Sequence, residues 1–327
     1  MFEQIWTIAR NTFTESIRQP IFIVVLGAAC LLLVLNPALS AYTLDDDNKL
    51  LIDLGLSTIF LGGLFLAAFT ATGVLAREIE NKTVLTVISK PIGRPAFILG
   101  KYLGVTGALS VAFWIWSIVF LLTVRHKVMS TASDHFDAPV LAFGFCALLI
   151  AAGVATWGNY FYGWVFTSRL TGWLAGTITL AYLLVLMITP KWQFQSITTE
   201  FVADDGKLLQ IITALMLVLE ALAVICAVAI ACSTRLGQVM TLAICLAIFL
   251  VGLSSDYFFG QYVETYPAVW LIYGLAPNVQ FFWLADALTQ NNPVNSYYVM
   301  MITGYAALYT LAVLCLASAL FQTRETG

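Results

Sequence analysis

Residues 208–232 read LLQIITALMLVLEALAVICAVAIAC, an apolar run in which Glu220 is the one charged residue. About 20 apolar residues form a helix long enough to cross the roughly 30 Å hydrocarbon core of a bilayer. Runs of this kind recur along the chain, separated by clusters of Asp, Lys, Pro and Asn. The repeated pattern predicts an all-α, polytopic membrane protein.

Eight runs are long enough to be spans, and none has the ten-residue alternation of an outer-membrane barrel. The predicted spans lie near 21–43, 54–76, 102–124, 139–166, 171–189, 208–232, 237–254 and 297–320. The chain is therefore expected to form a single transmembrane domain over residues 1–327.

Composition excludes several classes of protein. Of the 327 residues, 61% are hydrophobic and 10% are charged, whereas an ordinary soluble domain has about 25% charged residues. Little of the chain remains for a soluble catalytic domain. The 15 basic and 18 acidic residues give a net charge of −3, so we expect no basic surface and no nucleic-acid partner.

The basic residues predict the orientation of the chain. With eight spans and the N-terminus inside, ten of the 15 Lys and Arg residues fall on the inner side, and twelve acidic residues fall on the outer side. Cytoplasmic loops of membrane proteins carry the excess of positive charge. We therefore expect both termini in the cytoplasm.

Residues 1–20 precede the first span, and their charges are spread along the segment instead of forming the charged start of a signal peptide. Apolar residues recur there at helical spacing, namely Phe2, Ile5, Trp6, Ala9, Phe13 and Ile17. The pattern predicts an amphipathic elbow helix in the membrane interface, which ends before Pro20.

The inner loop at residues 77–101 reads REIENKTVLTVISKPIGRPAFILGK and holds half of the inner basic residues. A short helix is expected from Arg77 to Ser89, because Glu78 and Glu80 in its first turn suit the helix dipole. Pro91 would end this helix. A helix held between two spans is a mechanical contact point, since moving it moves both spans.

This loop resembles the segment that joins spans two and three in permease subunits of type-2 ABC exporters, the ABC-2 family. The residues that carry the resemblance are Arg77, Glu78, Glu80, Thr83, Leu85, Ser89, Lys90, Pro91, Arg94, Gly100 and Lys101. Lys82 departs from the pattern, since many members have Gly there. In addition, 275–282 and 285–288 are similar to the external re-entrant segment before the family's last span.

The resemblance implies that residues 77–91 form a coupling helix that docks on a separate P-loop ATPase subunit. The implied coupling residues are Arg77, Glu78, Glu80, Thr83, Leu85, Ser89, Pro91 and Arg94. ATP and Mg²⁺ would bind to that partner, with no cofactor on this chain. A second permease copy or a homologue would complete the pathway in a bacterial inner membrane. The apolar spans favour export of an amphipathic or lipid-like cargo.

We expect no catalytic activity and no metal site on the chain itself. The stretch from Gly93 to Lys101 departs from a phosphate-binding loop at Pro95 and Tyr102, where the motif requires Gly and Ser or Thr. The six cysteines lie in or beside spans without a C-x-x-C pair, a distribution that indicates packing.

Glu220 lies in the middle of its span, where an ionised carboxylate costs several kcal/mol unless it is shielded. One interpretation makes it a contact for substrate or protons, together with Asn159 of the fourth span. The other makes it a neutral acid that is hydrogen-bonded across helices. In either case Asn159 or Tyr160 is a candidate partner.

Residues 255–296 form an aromatic segment before the last span. Within it PAVWLIYGLA is too short to cross a bilayer. The breaks at Pro267, Gly274 and Pro277, with Asn278 beside the last, favour a re-entrant hairpin at the outer face. The alternative is an interfacial aromatic belt.

Two glycine pairs have a spacing that permits close helix approach in membranes. They are Gly100 with Gly104 and Gly172 with Gly176. The spacing also arises by chance, so the sequence leaves open whether either pair contacts another helix.

Two other functions stay open on the sequence. A self-contained secondary transporter could couple to protons through Glu220. A membrane anchor without transport activity could instead transmit the movements of an ATPase to a periplasmic partner.

Overall fold

The computed structural model describes residues 2–41, 47–80, 93–129, 136–202, 206–258, 260–262, 273, 277–289 and 294–322, without the side chains of 75–80, 261, 286 and 289. Within these ranges the chain is helical apart from short connections and one isolated bridge between Ile188 and Phe194. The helices are α1 (Phe2–Arg18), α2 (Pro20–Ser40), α3 (Asp47–Glu80), α4 (Arg94–His126), α5 (Ala138–Tyr162), α6 (Phe166–Leu186), α7 (Ile197–Val202), α8 (Lys207–Ser233), α9 (Gln238–Phe258), α10 (Ala285–Thr289) and α11 (Ser296–Gln322).

In the described part of the chain, eight helices are long and apolar enough to cross a membrane, namely α2, α3, α4, α5, α6, α8, α9 and α11. This confirms the all-α polytopic fold and gives a candidate helix at each of the eight predicted runs. The boundaries differ most at α4, which begins at Arg94, eight residues before the predicted start. With 33 residues, α4 is about 50 Å long, well beyond the roughly 30 Å of hydrocarbon.

Contacts between helix ends define two ends of the bundle. At the first, the Arg94 end, α4 begins and α11 finishes, and the Arg94 guanidinium donates to Gln322 O at 2.6 Å. At the second, the Arg125 end, Arg125 near the end of α4 donates to Ile188 O just beyond α6, at 2.9 Å. The spans alternate in direction between these ends, so α1 and the end of α11 lie at the same end. An even number of spans requires this arrangement.

The helices α3, α4 and α8 form the centre of the bundle. The fully buried Trp116 indole of α4 donates to Leu26 O of α2 at 3.1 Å. Glycines let α3 approach its neighbours, since a Cβ at Gly62 would meet the Ala29 Cβ at 3.2 Å. Small residues at such crossings bring membrane helices close together. The helices α2, α5, α9 and α11 are peripheral and leave many apolar side chains exposed.

The elbow helix α1 ends at Arg18 and α2 begins at Pro20, as the sequence predicts. It packs along the first turns of α4, with Ala9, Thr12, Ser16 and Ile17 buried. Phe2 and Trp6, expected on its apolar face, are 82% and 65% exposed. The face that α1 turns to the bundle is therefore the small, partly polar one. Its large apolar residues at the N-terminus point away from the protein.

Candidate functional site

The implied coupling segment lies at the Arg94 end, between α3 and α4. Arg77, Glu78 and Glu80 continue the α3 backbone, so the first turn of the expected short helix is the last turn of α3. Thr83, Leu85, Ser89 and Pro91 lie outside the described residues. The chain is described again from Gly93, whose extended backbone precedes α4, with a proline in the first turn of that helix. A proline there suits a helix start, because its missing N–H needs no partner.

Arg94, the last implied coupling residue, contacts the final helix of its own chain. Its Nη1 donates to Gln322 O at 2.6 Å. From the turn after α8, Arg235 donates through Nη2 to Leu320 O at 2.8 Å. The last carbonyls of a helix lack intrahelical partners and favour cations. The two guanidinium groups therefore hold the last turn of α11 beside the coupling segment.

Aromatic packing strengthens the same contact. Phe97, one turn into α4, stacks on Phe321 of α11 with ring centroids 5.5 Å apart. The buried Lys101 places its Nζ 5.5 Å from the centre of the Phe97 ring. The first turn of α4 and the last turn of α11 are thus joined by one hydrogen bond and by one pair of stacked rings.

The Gly100 and Gly104 pair, whose contact the sequence left open, is where α1 meets α4. A Cβ at Gly104 would lie 2.6 Å from Ala9 O, and one at Gly100 would lie 3.1 Å from Ile5 O. At Gly172 and Gly176 a Cβ would meet no described atom within 4 Å. The spacing of that second pair therefore brings no described helix close to it.

The polar side of α1 lines an open cleft of about 580 Å³ at the Arg94 end. Arg10, Asn11, Thr14, Glu15 and Arg18 contribute to its wall. The Arg94 end of the bundle therefore presents a charged surface on α1.

Glu220 lies in the middle of α8 and contacts α11. Its Oε1 accepts a hydrogen bond from Thr303 Oγ1 at 2.9 Å. Its Oε2 is buried and has no hydrogen-bond partner among the described residues. The side chain is thus bonded across two helices, as one of the two interpretations expects.

Asn159 is not the partner of Glu220, so that predicted contact is wrong. Asn159 lies in the last turn of α5, at the Arg94 end, where its Nδ2 donates to Trp164 O at 2.7 Å. The amide closes the turn between α5 and α6, around the left-handed Gly163. Tyr160 is 82% exposed. The apolar run around Asn159 placed this residue within a span, but the sequence gave no information about which helices meet.

Two of the predicted re-entrant residues, Pro267 and Gly274, lie outside the described residues, whereas Pro277 and Asn278 are buried. Asn278 Oδ1 accepts from Gln280 N at 3.1 Å and begins a short 3₁₀ helix over Val279–Phe282. The backbone N–H of Asn278 donates to the Tyr305 hydroxyl of α11 at 3.0 Å. Around Pro277 and Asn278 the irregular backbone is thus covered by protein, which non-helical chain at membrane depth would require.

A charged cluster at the Arg125 end was not singled out from the sequence. Arg125 Nη1 lies 2.8 Å from Glu200 Oε1, and Arg125 Nε lies 3.4 Å from Asp137 Oδ2. The guanidinium also donates to Val185 O at 3.3 Å and Ile188 O at 2.9 Å. Asp137 in turn begins α5 by accepting from Val140 N. The one sequence signal that points to a residue of this cluster is the Asp-Ala-Pro start of α5, which has the form of a helix N-cap followed by a proline in the first turn.

Comparison with known proteins agrees with this arrangement. Residues 6–157 match the model of the family described as ABC-2 family transporter protein. The matched region runs from α1 through α5 and includes the whole coupling segment. A search of individually curated proteins gave no match. Permeases of this family are transport components that generally work with an ATPase subunit. Residues 6–157, somewhat less than half of the chain, are thus similar to the ABC-2 family of membrane transporters, and the described part of the chain holds eight helices that could cross a membrane.

Proposed function

We propose that the chain is the permease half of an ATP-driven exporter in a bacterial inner membrane, with both termini in the cytoplasm. Two copies, or this chain and a homologue, would form the pathway. A separate P-loop ATPase subunit would dock at residues 77–91 and hold the ATP and Mg²⁺. An amphipathic or lipid-like cargo suits spans that leave many large apolar side chains exposed.

One observation carries this proposal: the coupling segment is attached to three spans. It continues directly from α3 and leads directly into α4, which are two of the central helices. Through the bond from Arg94 to Gln322 O it is also attached to the end of α11. A push on this segment would therefore reach the core of the bundle.

The proposed mechanism is a shift between two arrangements of the spans. A ligand shifts such an equilibrium only as far as it binds one state better than the other. Closure of the ATPase subunits on ATP would favour the arrangement in which α3 and α4 are displaced at the Arg94 end. Hydrolysis and release would restore the first arrangement.

Copurification tests the proposal. Pull-down of the tagged chain from native membranes should recover a P-loop ATPase, and Glu78→Ala/Glu80→Ala should reduce its yield by about tenfold, a loss of about 1.4 kcal/mol. The control is Glu3→Ala, which removes an exposed acid from α1 at the same end. A pure permease without ATPase, or equal loss in the control, would refute the docking site.

A second candidate is proton-coupled transport through Glu220. The observation that favours it is the buried Oε2, which has no described partner and could carry a proton. Proteoliposomes separate the two candidates, because export by an ABC permease requires ATP whereas a secondary transporter requires a proton gradient. Undiminished export by Glu220→Gln at equal protein level would remove this candidate.

A further inference from the structure

A groove opens between α2 and α5 at the Arg125 end of the bundle. The helix α2 packs against α3 and α4, whereas α5 packs mainly against α6, so that α2 and α5 leave a space between them. The space between them has a volume of about 490 Å³, within the roughly 300–1,000 Å³ of ligand pockets. Side chains of α4 and α6 close its back wall.

The walls of the groove are apolar. Val34 and Ala38 of α2 face Leu141 and Phe145 of α5 across it, with Ile178 of α6 behind. Thr123 of α4 also lines the groove, but its hydroxyl donates to Phe120 O in the same helix at 2.7 Å. An occupant therefore meets hydrocarbon along most of the length.

The length of the groove equals one leaflet of a bilayer. Its lining on α2 runs from Cys30 to Ala41, which is about 16 Å of helix at 1.5 Å per residue. Half of a roughly 30 Å hydrocarbon core is about 15 Å. A transmembrane helix of a second subunit would need a groove of twice this length, whereas one acyl chain needs only this much.

At its mouth the groove changes from apolar walls to polar and basic side chains. His126 and Met129 line the mouth where α4 ends. Lys127 follows at once, with its side chain exposed and no carboxylate within ion-pair distance in the described part of the chain. Because the groove is as long as one leaflet, its mouth and Lys127 would lie at the level of the lipid phosphates.

We propose that the groove binds one acyl chain of a phospholipid from the leaflet at the Arg125 end, with the lipid phosphate beside Lys127. The chain descends between α2 and α5 and its terminal carbons reach Cys30. This site is independent of the proposed exporter function, because bilayer lipid would occupy it whether or not the chain transports anything.

Photocrosslinking with depth-specific lipids tests the proposal. The full-length protein, with any subunits that copurify, is placed in nanodiscs that contain phosphatidylglycerol with a diazirine in one acyl chain. A diazirine near the glycerol should label peptides that contain Phe136 or Leu141. A diazirine near the chain end should label peptides that contain Leu148 or Leu174, which line the deep part of the groove.

Two glycines of α5 supply a matched pair of variants. Gly144 lines the groove, and a Cβ there would meet no described atom within 4 Å. Gly153 is also open to a Cβ but lies nine residues further, on the opposite face of the helix. Gly144→Leu should lower groove labelling by about tenfold, and Gly153→Leu should leave it unchanged. Ala38→Leu fills the groove from α2 and should reproduce the loss if Gly144→Leu proves unstable.

The proposal predicts both the depth order of labelling and its selective loss. Equal labelling in wild type, Gly144→Leu and Ala38→Leu would overturn it, since bulk lipid around the protein would then account for the signal. Labelling that does not depend on diazirine depth would also overturn it.

Discussion

Replacement of Arg125 by methionine should destabilise the Arg125 end of the bundle. Methionine keeps the length of the apolar stem but removes the guanidinium that contacts two carboxylates and two backbone carbonyls. Asp137 is 4% exposed, so its charge would stay buried without a partner. Breaking a buried pair in this way costs about 3–5 kcal/mol. Glu200 is partly exposed and can regain water, so we assign it at most about 1 kcal/mol.

The effect should appear first in the connection between α6 and α7. Thr189 N donates to Gln193 O at 2.8 Å and Gln195 N to Met187 O at 2.9 Å, so these amides report opening of the connection. Because every 1.4 kcal/mol is tenfold, a loss of about 3 kcal/mol raises their exchange rates by roughly 150-fold. Hydrogen exchange measured by mass spectrometry on the protein in nanodiscs gives this ratio directly.

Two further variants separate the cost of the unpaired Asp137 charge from the loss of the other Arg125 contacts. Lys127→Met also removes a basic residue beside the end of α4, but its exposed side chain should contribute less than about 0.5 kcal/mol. Arg125→Met/Asp137→Asn should recover about 2 kcal/mol, because asparagine still caps α5 and leaves no buried charge. Equal exchange in Arg125→Met and Lys127→Met would refute the reasoning. Failure of the double variant to recover would assign the loss to the carbonyl contacts.

Three other outcomes are expected. Gly104→Ala should separate α1 from α4 at a cost of about 1–3 kcal/mol, measured by unfolding in mixed micelles. The control Gly107→Ala should cost far less, since its Cβ would meet only ring carbons of Phe13, the nearer at 3.4 Å. Equal losses in the two variants would contradict the close approach. Arg94→Ala should speed amide exchange in the last turn of α11 by roughly fivefold, for a loss of about 1 kcal/mol, and unchanged exchange there would show that this contact is dispensable. Glu220→Gln should keep the hydrogen bond from Thr303 and therefore the thermal stability, and a large fall in stability would mean that the carboxylate is ionised and shielded.

Local signals in the sequence were sufficient for the spans. Uninterrupted apolar length predicts helices that cross hydrocarbon whatever their neighbours are, so all eight were found with small errors at their ends. Pro20 likewise marks the boundary between α1 and α2 by its own geometry. The start of α4 was missed because Arg94 and Lys101 interrupt the apolar run, although Lys101 is buried against Phe97.

Contacts between helices were predicted less well, because one amphipathic or small-residue pattern fits several neighbours. The two glycine pairs have the same spacing, but only Gly100 and Gly104 meet another described helix. Asn159 was paired with Glu220 because both are polar residues in apolar runs, whereas the hydrogen bond to Glu220 comes from Thr303. The Arg125 cluster joins residues that lie up to 75 positions apart, and the charge count placed them only on the same side.

By itself the sequence determined the fold class and indicated about eight spans, an even number that places both chain ends together. Those properties follow from transfer of each segment into hydrocarbon, a free energy that sums over the residues of one helix. The tertiary structure alone decided which helices are central, that Arg94 holds the end of α11, and that α2 and α5 leave a groove between them. These features depend on packing between helices, where a change of one side chain alters which surfaces can approach.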